Sequence, residues 1–120
     1  MSVLISLELD GLPPTVNHMY RTSGRYRYKT AEARIYQEHV SSLLREKWNN
    51  REQYTEPVEL CVTFSTNNRK RWDIDNRVKA LQDCLAQAGV IQDDTQIDEL
   101  HVKRIYGSKM GTELTLKECG

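Results

Sequence analysis

The chain has 120 residues, of which 38% are hydrophobic and 28% are charged, the composition of an ordinary soluble globular protein. This composition excludes a fibrous or disordered chain, and the length predicts one domain, residues 1–120, with a single modest core. Seventeen basic and seventeen acidic residues cancel, so the net charge favours no class of partner and only local charge is informative.

Residues 3–9 alternate apolar with mostly polar side chains, which predicts a first strand that ends at Asp10 and Gly11. The N-terminal stretch has no basic segment, so it lacks the pattern of a signal peptide. No apolar run approaches the roughly 18 to 20 residues that a membrane span needs. We therefore expect a cytoplasmic protein without membrane contact.

The segment from Thr15 to Lys29 has little apolar periodicity and is predicted to be a long basic loop. It interleaves tyrosines with arginines, a combination that offers both stacking faces and phosphate contacts to unstacked or branched nucleic acid. The alternative is a solvated loop whose tyrosines fold back on the core. The side chains concerned are Tyr20, Arg21, Arg25, Tyr26, Arg27, Tyr28 and Lys29.

Two amphipathic helices are predicted, one on each side of a central strand. The first begins after Thr30, a suitable N-cap, and reaches about Asn50. Alternating apolar residues after Pro57 predict the strand. The second helix begins at Asp73 or Ile74, and its apolar face consists of Ile74, Val78, Leu81, Leu85 and Ala88.

The remainder of the chain predicts two more strands. Gly89 is placed as the C-terminal stop of the second helix. A strand from Ile97 to Tyr106, a hairpin turn from Gly107 to Gly111, and a last short strand holding Leu114 and Leu116 follow. The order β-α-β-α-β-β predicts a two-layer α+β domain, with both helices packed on one face of a mixed sheet.

The two acids at the start of the second helix have a structural and a functional explanation. Asp73 can cap the helix and Asp75 is favoured in the first turn. One acid suffices as a cap, however, and two close acids repel unless a cation lies between them. Mg²⁺ prefers oxygen ligands, and Asp93 or Asp94 could complete such a site if the chain turns back after Gly89.

Lys79 follows Asp75 by four residues, so the two side chains share one side of the helix. They could form an ordinary surface ion pair, or Lys79 could face the same phosphate as the metal ion and stabilise its developing charge. A basic triplet at 69–71 directly precedes the acids, which suits a phosphodiester backbone better than a small acidic substrate. Trp72, between the triplet and Asp73, is expected to pack at the helix entry in preference to stacking on a base.

Other kinds of site are poorly supported. No glycine-rich phosphate loop and no serine or cysteine nucleophile in a known setting is present. The three cysteines have no CxxC spacing, which predicts reduced thiols, and the histidines have no metal-ligand spacing. These residues are Cys61, Cys84 and Cys119, and His18, His39 and His101.

Taken together, the motifs resemble the RusA family of Holliday junction resolvases, small endonucleases of bacteria and their prophages. The resemblance rests on Pro13-Pro14-Thr15 with Asn17, on the block from Arg71 to Lys79 read as basic-x-D-x-D-N-x-x-K, and on the Ala88-Gly89 turn that leads to Asp93-Asp94. It covers essentially the whole chain.

The resemblance implies a RusA-like fold and a metal-dependent endodeoxyribonuclease. The acids would hold Mg²⁺, for which Mn²⁺ can substitute. The implied catalytic residues are Asp73, Asp75, Lys79 and Asp94. Asn76 completes the motif and would orient a neighbouring carboxylate, while Asp93 ranks second to the aspartate that follows it.

It also implies a homodimer that resolves a four-way DNA junction by paired nicks during recombination and repair. We expect an apolar dimer surface on the sheet or on the second helix, and a basic surface against DNA. The predicted DNA-binding residues are Asn17, Arg21, Arg25, Arg27, Lys29, Arg69, Lys70 and Arg71. Two alternatives stay open: a prophage protein that binds branched DNA without cutting it, and an interaction domain whose acids only cap a helix.

Overall fold

The computed structural model describes residues 2–67 and 72–119 and contains a mixed sheet covered by helices. In chain order its elements are β1 (Val3–Asp10), α1 (Val16–Met19), β2 (Tyr20–Ser23), β3 (Tyr26–Lys29), α2 (Ala31–Trp48), β4 (Val58–Thr66), α3 (Val78–Gln87), β5 (Ile97–Tyr106) and β6 (Gly111–Glu118). Two 3₁₀ turns, Ile74–Arg77 and Asp94–Gln96, precede α3 and β5.

The helices α2 and α3 pack on one face of the sheet, as predicted. Strand β4 turns Leu60, Val62 and Phe64 toward them, and β6 adds Leu114 and Leu116, all fully or almost fully buried. The predicted cap of α2 is also confirmed, because the Ala33 amide donates to the Thr30 hydroxyl over 3.2 Å. The α+β fold class is therefore confirmed.

The predicted hairpin between the last two strands is wrong. The sheet order is β1-β6-β4-β5, so among the described strands β5 pairs in parallel with β4, while β6 pairs antiparallel with β4 and β1. The connection after β5 crosses the end of β4, where the Gly107 amide donates to the Thr66 carbonyl over 3.0 Å. The buried leucines of β6 explain this order, since they need a central position, whereas β5 is mostly exposed and forms an edge.

The predicted basic loop is instead ordered as a short helix and a hairpin. α1 is followed directly by β2 and β3, which pair antiparallel from Tyr20 opposite Lys29 to Ser23 opposite Tyr26. Gly24 has a φ of 61° at the turn, a conformation that tight hairpin turns require and that glycine adopts without strain. The signal in the sequence was this glycine within an alternating run of tyrosine and basic residues.

Candidate active site

Asp73 and Asp75 lie on the 3₁₀ turn that leads into α3, and both residues are exposed. Asp73 occupies the N-cap position with an extended backbone, φ −74° and ψ 124°. Within the described part of the chain, however, its carboxylate makes no capping hydrogen bond. The capping explanation is therefore wrong for Asp73, and its oxygens are not used to satisfy the helix end.

The chain turns back after α3, which brings the second acidic pair toward the first. Gly89 has a φ of 79° and its amide donates to Ala86, while the Val90 amide donates to the Leu85 carbonyl over 3.1 Å. This pair of bonds ends the helix in a Schellman motif, as the glycine predicted. Val90 and Ile91 then bury their side chains, and the chain reaches Asp94 beside α3.

Lys79 joins the two parts of the motif. Its Nζ atom lies 3.0 Å from Oδ2 of Asp94 and 2.9 Å from Oδ1 of Asp83. The surface pair with Asp75, one of the two alternatives that the spacing allowed, is not found among the described residues. The hydrogen bond from Lys79 is the main reason that the pKa of Asp94 is lowered. The hydrogen bond to Asp83 is the main reason that the pKa of Lys79 is raised, so this lysine is a cation at neutral pH.

Asp93 has a local structural role. Its carboxylate accepts a hydrogen bond from the Thr95 amide over 3.3 Å, and the Gln96 side chain accepts one from the Asp93 amide over 3.1 Å. This capping box holds the 3₁₀ turn at Asp94–Gln96. Asp94, and not Asp93, is the acid of this pair that contacts Lys79.

The three implied metal ligands lie on the 3₁₀ turns that contact α3, but their carboxylates are not close enough to one another to share an ion in this structure. Among residues 2–67 and 72–119, the single group of three side chains with ligand atoms within 4.8 Å of one another is Glu59, Glu99 and His101. Asp73, Asp75 and Asp94 do not meet that distance. Their oxygens are nevertheless of the type that a hard divalent cation prefers, so the donor chemistry fits such an ion.

The Glu59 group lies on the sheet face opposite the core, because Glu59 alternates with Val58 and Leu60 along β4. Glu59 is buried, and its carboxylate is 3.7 Å from His101 Nε2 and 3.8 Å from Lys117 Nζ. This acidic group also suits a divalent metal ion. No spacing along the chain pointed to it, since Glu59 meets Glu99 only through the parallel pairing of β4 and β5.

The β2–β3 hairpin presents most of the predicted basic and aromatic side chains to solvent, whereas Lys29 is half-buried and contacts Asp83 and Gln37. Tyr26 is 78% exposed and Tyr28 is half exposed, so these two rings do not fold back on the core. Arg21, Arg25 and Arg27 are also exposed, and the Arg27 guanidinium lies 3.9 Å from the centre of the Tyr20 ring. The hairpin therefore offers a basic surface with two accessible aromatic faces.

The hairpin and the N-terminal motif lie next to α3. Met19, at the end of α1, packs against Ala80 of α3, and Arg77 Nη1 donates to the Pro13 carbonyl over 2.5 Å. Asn17, on α1, is exposed beside this contact. The remaining predicted DNA-binding residues lie outside the described residues; they are Arg69, Lys70 and Arg71.

Trp72 packs as predicted. Its ring meets the Phe64 ring edge-on with centroids 5.6 Å apart, and it is partly buried against the core. The guanidinium groups of Arg77 and Arg104 lie 4.9 and 5.0 Å from the ring centre, and Arg104 also donates to the Trp72 carbonyl. These contacts fix the chain where it enters the 3₁₀ turn that carries Asp73.

Within the described ranges, no helix is both long and apolar enough to cross a membrane.

Oxygen donors suited to a divalent cation, next to a basic and aromatic hairpin on an α+β scaffold, place the chain in the class of small nucleases. A sequence model of the family described as Endodeoxyribonuclease RusA matches residues 10–117. The match spans most of the chain, which therefore belongs to the RusA endodeoxyribonuclease family, and the resemblance read from the motifs is confirmed.

Individual relatives agree with the family match. The chain is 30% identical over 109 residues to the crossover junction endodeoxyribonuclease RusA of Escherichia coli K12, covering 90% of each protein. It is 31% identical over 115 residues to the protein of that name from Aquifex aeolicus, covering 94% of this chain and 90% of the relative. The protein of that name from Enterobacteria phage 82 is 30% identical over 109 residues, covering 90% of each protein.

Proposed function

We propose that the protein resolves four-way DNA junctions by paired, Mg²⁺-dependent nicks during recombination and repair in the cytoplasm. The observation that carries this proposal is the 3.0 Å contact between Lys79 and Asp94, which connects the lysine of the first motif segment with the acidic pair that follows α3. Membership of the RusA family and the names of its junction-cutting relatives support the same substrate.

Asp73, Asp75 and Asp94 would hold the divalent ion, with Mn²⁺ able to replace Mg²⁺. The bound ion would supply an activated water and neutralise charge on the phosphate. Asp73 and Asp75 suit this role because they are exposed and because the Asp73 carboxylate does not cap the helix. Attack by water on phosphorus would break the P–O3′ bond and leave a 5′-phosphate and a 3′-hydroxyl.

Lys79 would stabilise the negative charge that accumulates on the phosphate oxygens. Its ammonium group is held beside the acids by Asp83 and Asp94, and the first of these contacts raises its pKa. A fixed cation that is already in place when charge develops costs no reorganisation during the reaction. Asn76, one residue after Asp75, would orient a neighbouring carboxylate.

The basic hairpin would bind the DNA. Its exposed arginines can neutralise phosphates, and Tyr26 can stack on bases that are unpaired at the branch point. We assign this surface to the side chains predicted from the sequence, which are Asn17, Arg21, Arg25, Arg27 and Lys29, with Arg69, Lys70 and Arg71.

Two coordinated nicks require two sites, which a two-fold symmetric homodimer would supply. The apolar residues of α3 are buried in the hydrophobic core of the same chain, so α3 has no apolar surface left for a dimer interface. The edge strand β5 exposes Leu100 and Ile105 by 44% and 45%, and the outer edge of that strand is the most suitable dimer surface. The dimer would then join two sheets edge to edge.

The test is incubation with a synthetic four-way junction, with and without Mg²⁺, beside a linear duplex of the same sequence. We expect symmetric nicks in two opposing strands of the junction only when the metal is present. Binding without any cut in either Mg²⁺ or Mn²⁺ would contradict the proposal and would indicate a protein that recognises branched DNA without cleaving it.

A further inference from the structure

Asp83 is a mostly buried acid that contacts two lysines and has no part in the family motif. It lies on α3 one turn after Lys79, and its side chain is 16% exposed. One carboxylate oxygen is 2.9 Å from Lys79 Nζ, and the other is 3.5 Å from Lys29 Nζ. Asp83 therefore lies between the last residue of the basic hairpin and the lysine of the candidate active site.

Helix electrostatics do not explain the Lys79–Asp83 pair. Lys79 is in the first turn of α3, where the helix dipole disfavours a cation, and Asp83 is in the middle of the helix, where the dipole gives an acid no advantage. The order of lysine before acid is also the weaker arrangement at a spacing of four residues. Neither the helix dipole nor the order of the two charges favours this pair, so we looked for its role in the contacts that the two side chains make.

The contact restricts a flexible side chain. A lysine loses rotamer entropy when it is held in one position, so a single exposed acid does not hold it well. Here two carboxylates meet the same Nζ atom, Asp83 from the same helix and Asp94 from the turn after α3. Together they define the position of the ammonium group at the end of the helix.

Asp83 is itself fixed from the other side. Lys29 contacts its second oxygen and also donates a hydrogen bond to the Gln37 side chain of α2. Two lysines therefore meet both oxygens of a carboxylate that is mostly shielded from water, where ionic contacts are stronger than on the open surface. Because both carboxylate oxygens already contact lysines, Asp83 is better suited to orienting a lysine than to binding a metal ion.

We propose that Asp83 is a positioning residue, which holds the Lys79 ammonium group in the orientation required at the scissile phosphate. This inference rests on the proposed junction-cutting function. It predicts that Asp83 acts on the rate of the cleavage step, through Lys79, and does not contribute to metal binding or DNA binding.

The test compares wild type, Asp83→Asn and Asp83→Glu with Glu46→Gln, a control that alters an exposed acid of α2 away from the site. Single-turnover cleavage of a four-way junction is measured at saturating protein and Mg²⁺, together with the concentrations of protein and of Mg²⁺ that give half the maximal rate. We expect Asp83→Asn to lower the maximal rate by about tenfold or more, because misplaced catalytic groups have effects of this size. Both half-saturating concentrations should stay unchanged, Asp83→Glu should recover part of the rate, and the control should match wild type.

Several outcomes would overturn the inference. A higher half-saturating Mg²⁺ concentration in Asp83→Asn would make Asp83 a metal ligand, and a higher half-saturating protein concentration would make it part of the DNA surface. A wild-type rate in Asp83→Asn would show that the contact is irrelevant. If Asp83→Asn does not fold, Asp83→Glu decides, since a wild-type rate or a changed half-saturation in that variant would also contradict positioning. Failure of wild type to cut the junction would instead refute the proposed function itself.

Discussion

The Nζ atom of Lys79 lies 3.0 Å from a carboxylate oxygen of Asp94, although the two residues are fifteen positions apart in the chain. The contact exists because Gly89 ends α3 and reverses the direction of the chain. It connects the lysine that follows the DxDN segment with the second acidic pair.

The first prediction concerns the implied metal ligands. Asp73→Asn or Asp75→Asn should lower junction cleavage by at least about 100-fold, since even outer partners of a metal site contribute 10- to 100-fold. Junction affinity should stay nearly the same or increase, because a negative charge is removed from the surface that faces DNA. The measurements are nicking in Mg²⁺ and a gel-shift titration in EDTA.

The matched control for these variants is Glu46→Gln, which removes one exposed acid from α2. It should leave both nicking and binding unchanged. Normal cleavage by both Asp73→Asn and Asp75→Asn would show that the acids have been assigned wrongly.

The second prediction concerns the hairpin. Arg21→Gln combined with Arg25→Gln should weaken junction binding and lower the slope of log Kd against log salt by about 0.9 for each phosphate that the variant no longer neutralises. The control pair, Lys47→Gln with Lys109→Gln, removes the same charge from exposed positions elsewhere. An equal change in slope for both pairs would mean that overall charge, and not the hairpin, determines binding.

The third prediction is a dependence of stability on pH. The contact with Lys79 lowers the pKa of Asp94 in the folded protein, so its stabilising effect is present above the ordinary aspartate pKa of about 3.9 and is lost as the pH falls further. The side chains of Lys79 and Asp94 are 40% and 34% exposed. Screening by solvent therefore limits the contribution of their contact to the free energy of unfolding to about 0.2–1 kcal/mol.

Urea titrations of wild type and Asp94→Asn in EDTA measure this effect. The wild type should be the more stable protein at pH 6, and the difference should close toward pH 3. A variant that is more stable than wild type at pH 6 would show that repulsion from neighbouring acids outweighs the contact with Lys79.

The fourth prediction concerns the thiols. Burial raises the pKa of Cys84 to about 12, whereas Cys61 and Cys119 are partly accessible. In the native protein at pH 8, a disulfide reagent should therefore modify Cys84 at least about 100-fold more slowly than Cys119, because only the thiolate reacts. Mass spectrometry of the modified peptides measures the rates, and all three thiols should react alike in guanidinium. Equal rates in the native protein would contradict the burial of Cys84.

The sequence by itself determined the identity of most long elements, the start of α2 and the end of α3. The predicted start of the second helix at Asp73 or Ile74 was wrong, since a 3₁₀ turn occupies Ile74–Arg77 and α3 begins at Val78. Apolar periodicity reports which side of an element is buried, so the faces of α2, α3 and β4 were predicted correctly. Thr30 and Gly89 act through bonds to residues a few positions away, which is why a cap and a stop could be read locally. The family motif was likewise visible as spacing along the chain.

Only the tertiary structure decided which distant groups meet. The hairpin between β5 and β6 was mispredicted because every strand offers the same backbone donors and acceptors, so these groups do not specify its neighbour. The burial of Leu114 and Leu116 between β1 and β4 outweighed the short connection that favoured a hairpin. The contact of Lys79 with Asp94 could not be predicted either, because it depends on how the chain folds back after Gly89. Asp83 follows Lys79 by four residues on the same helix, so that contact was within reach of spacing alone, although only Asp75 was considered.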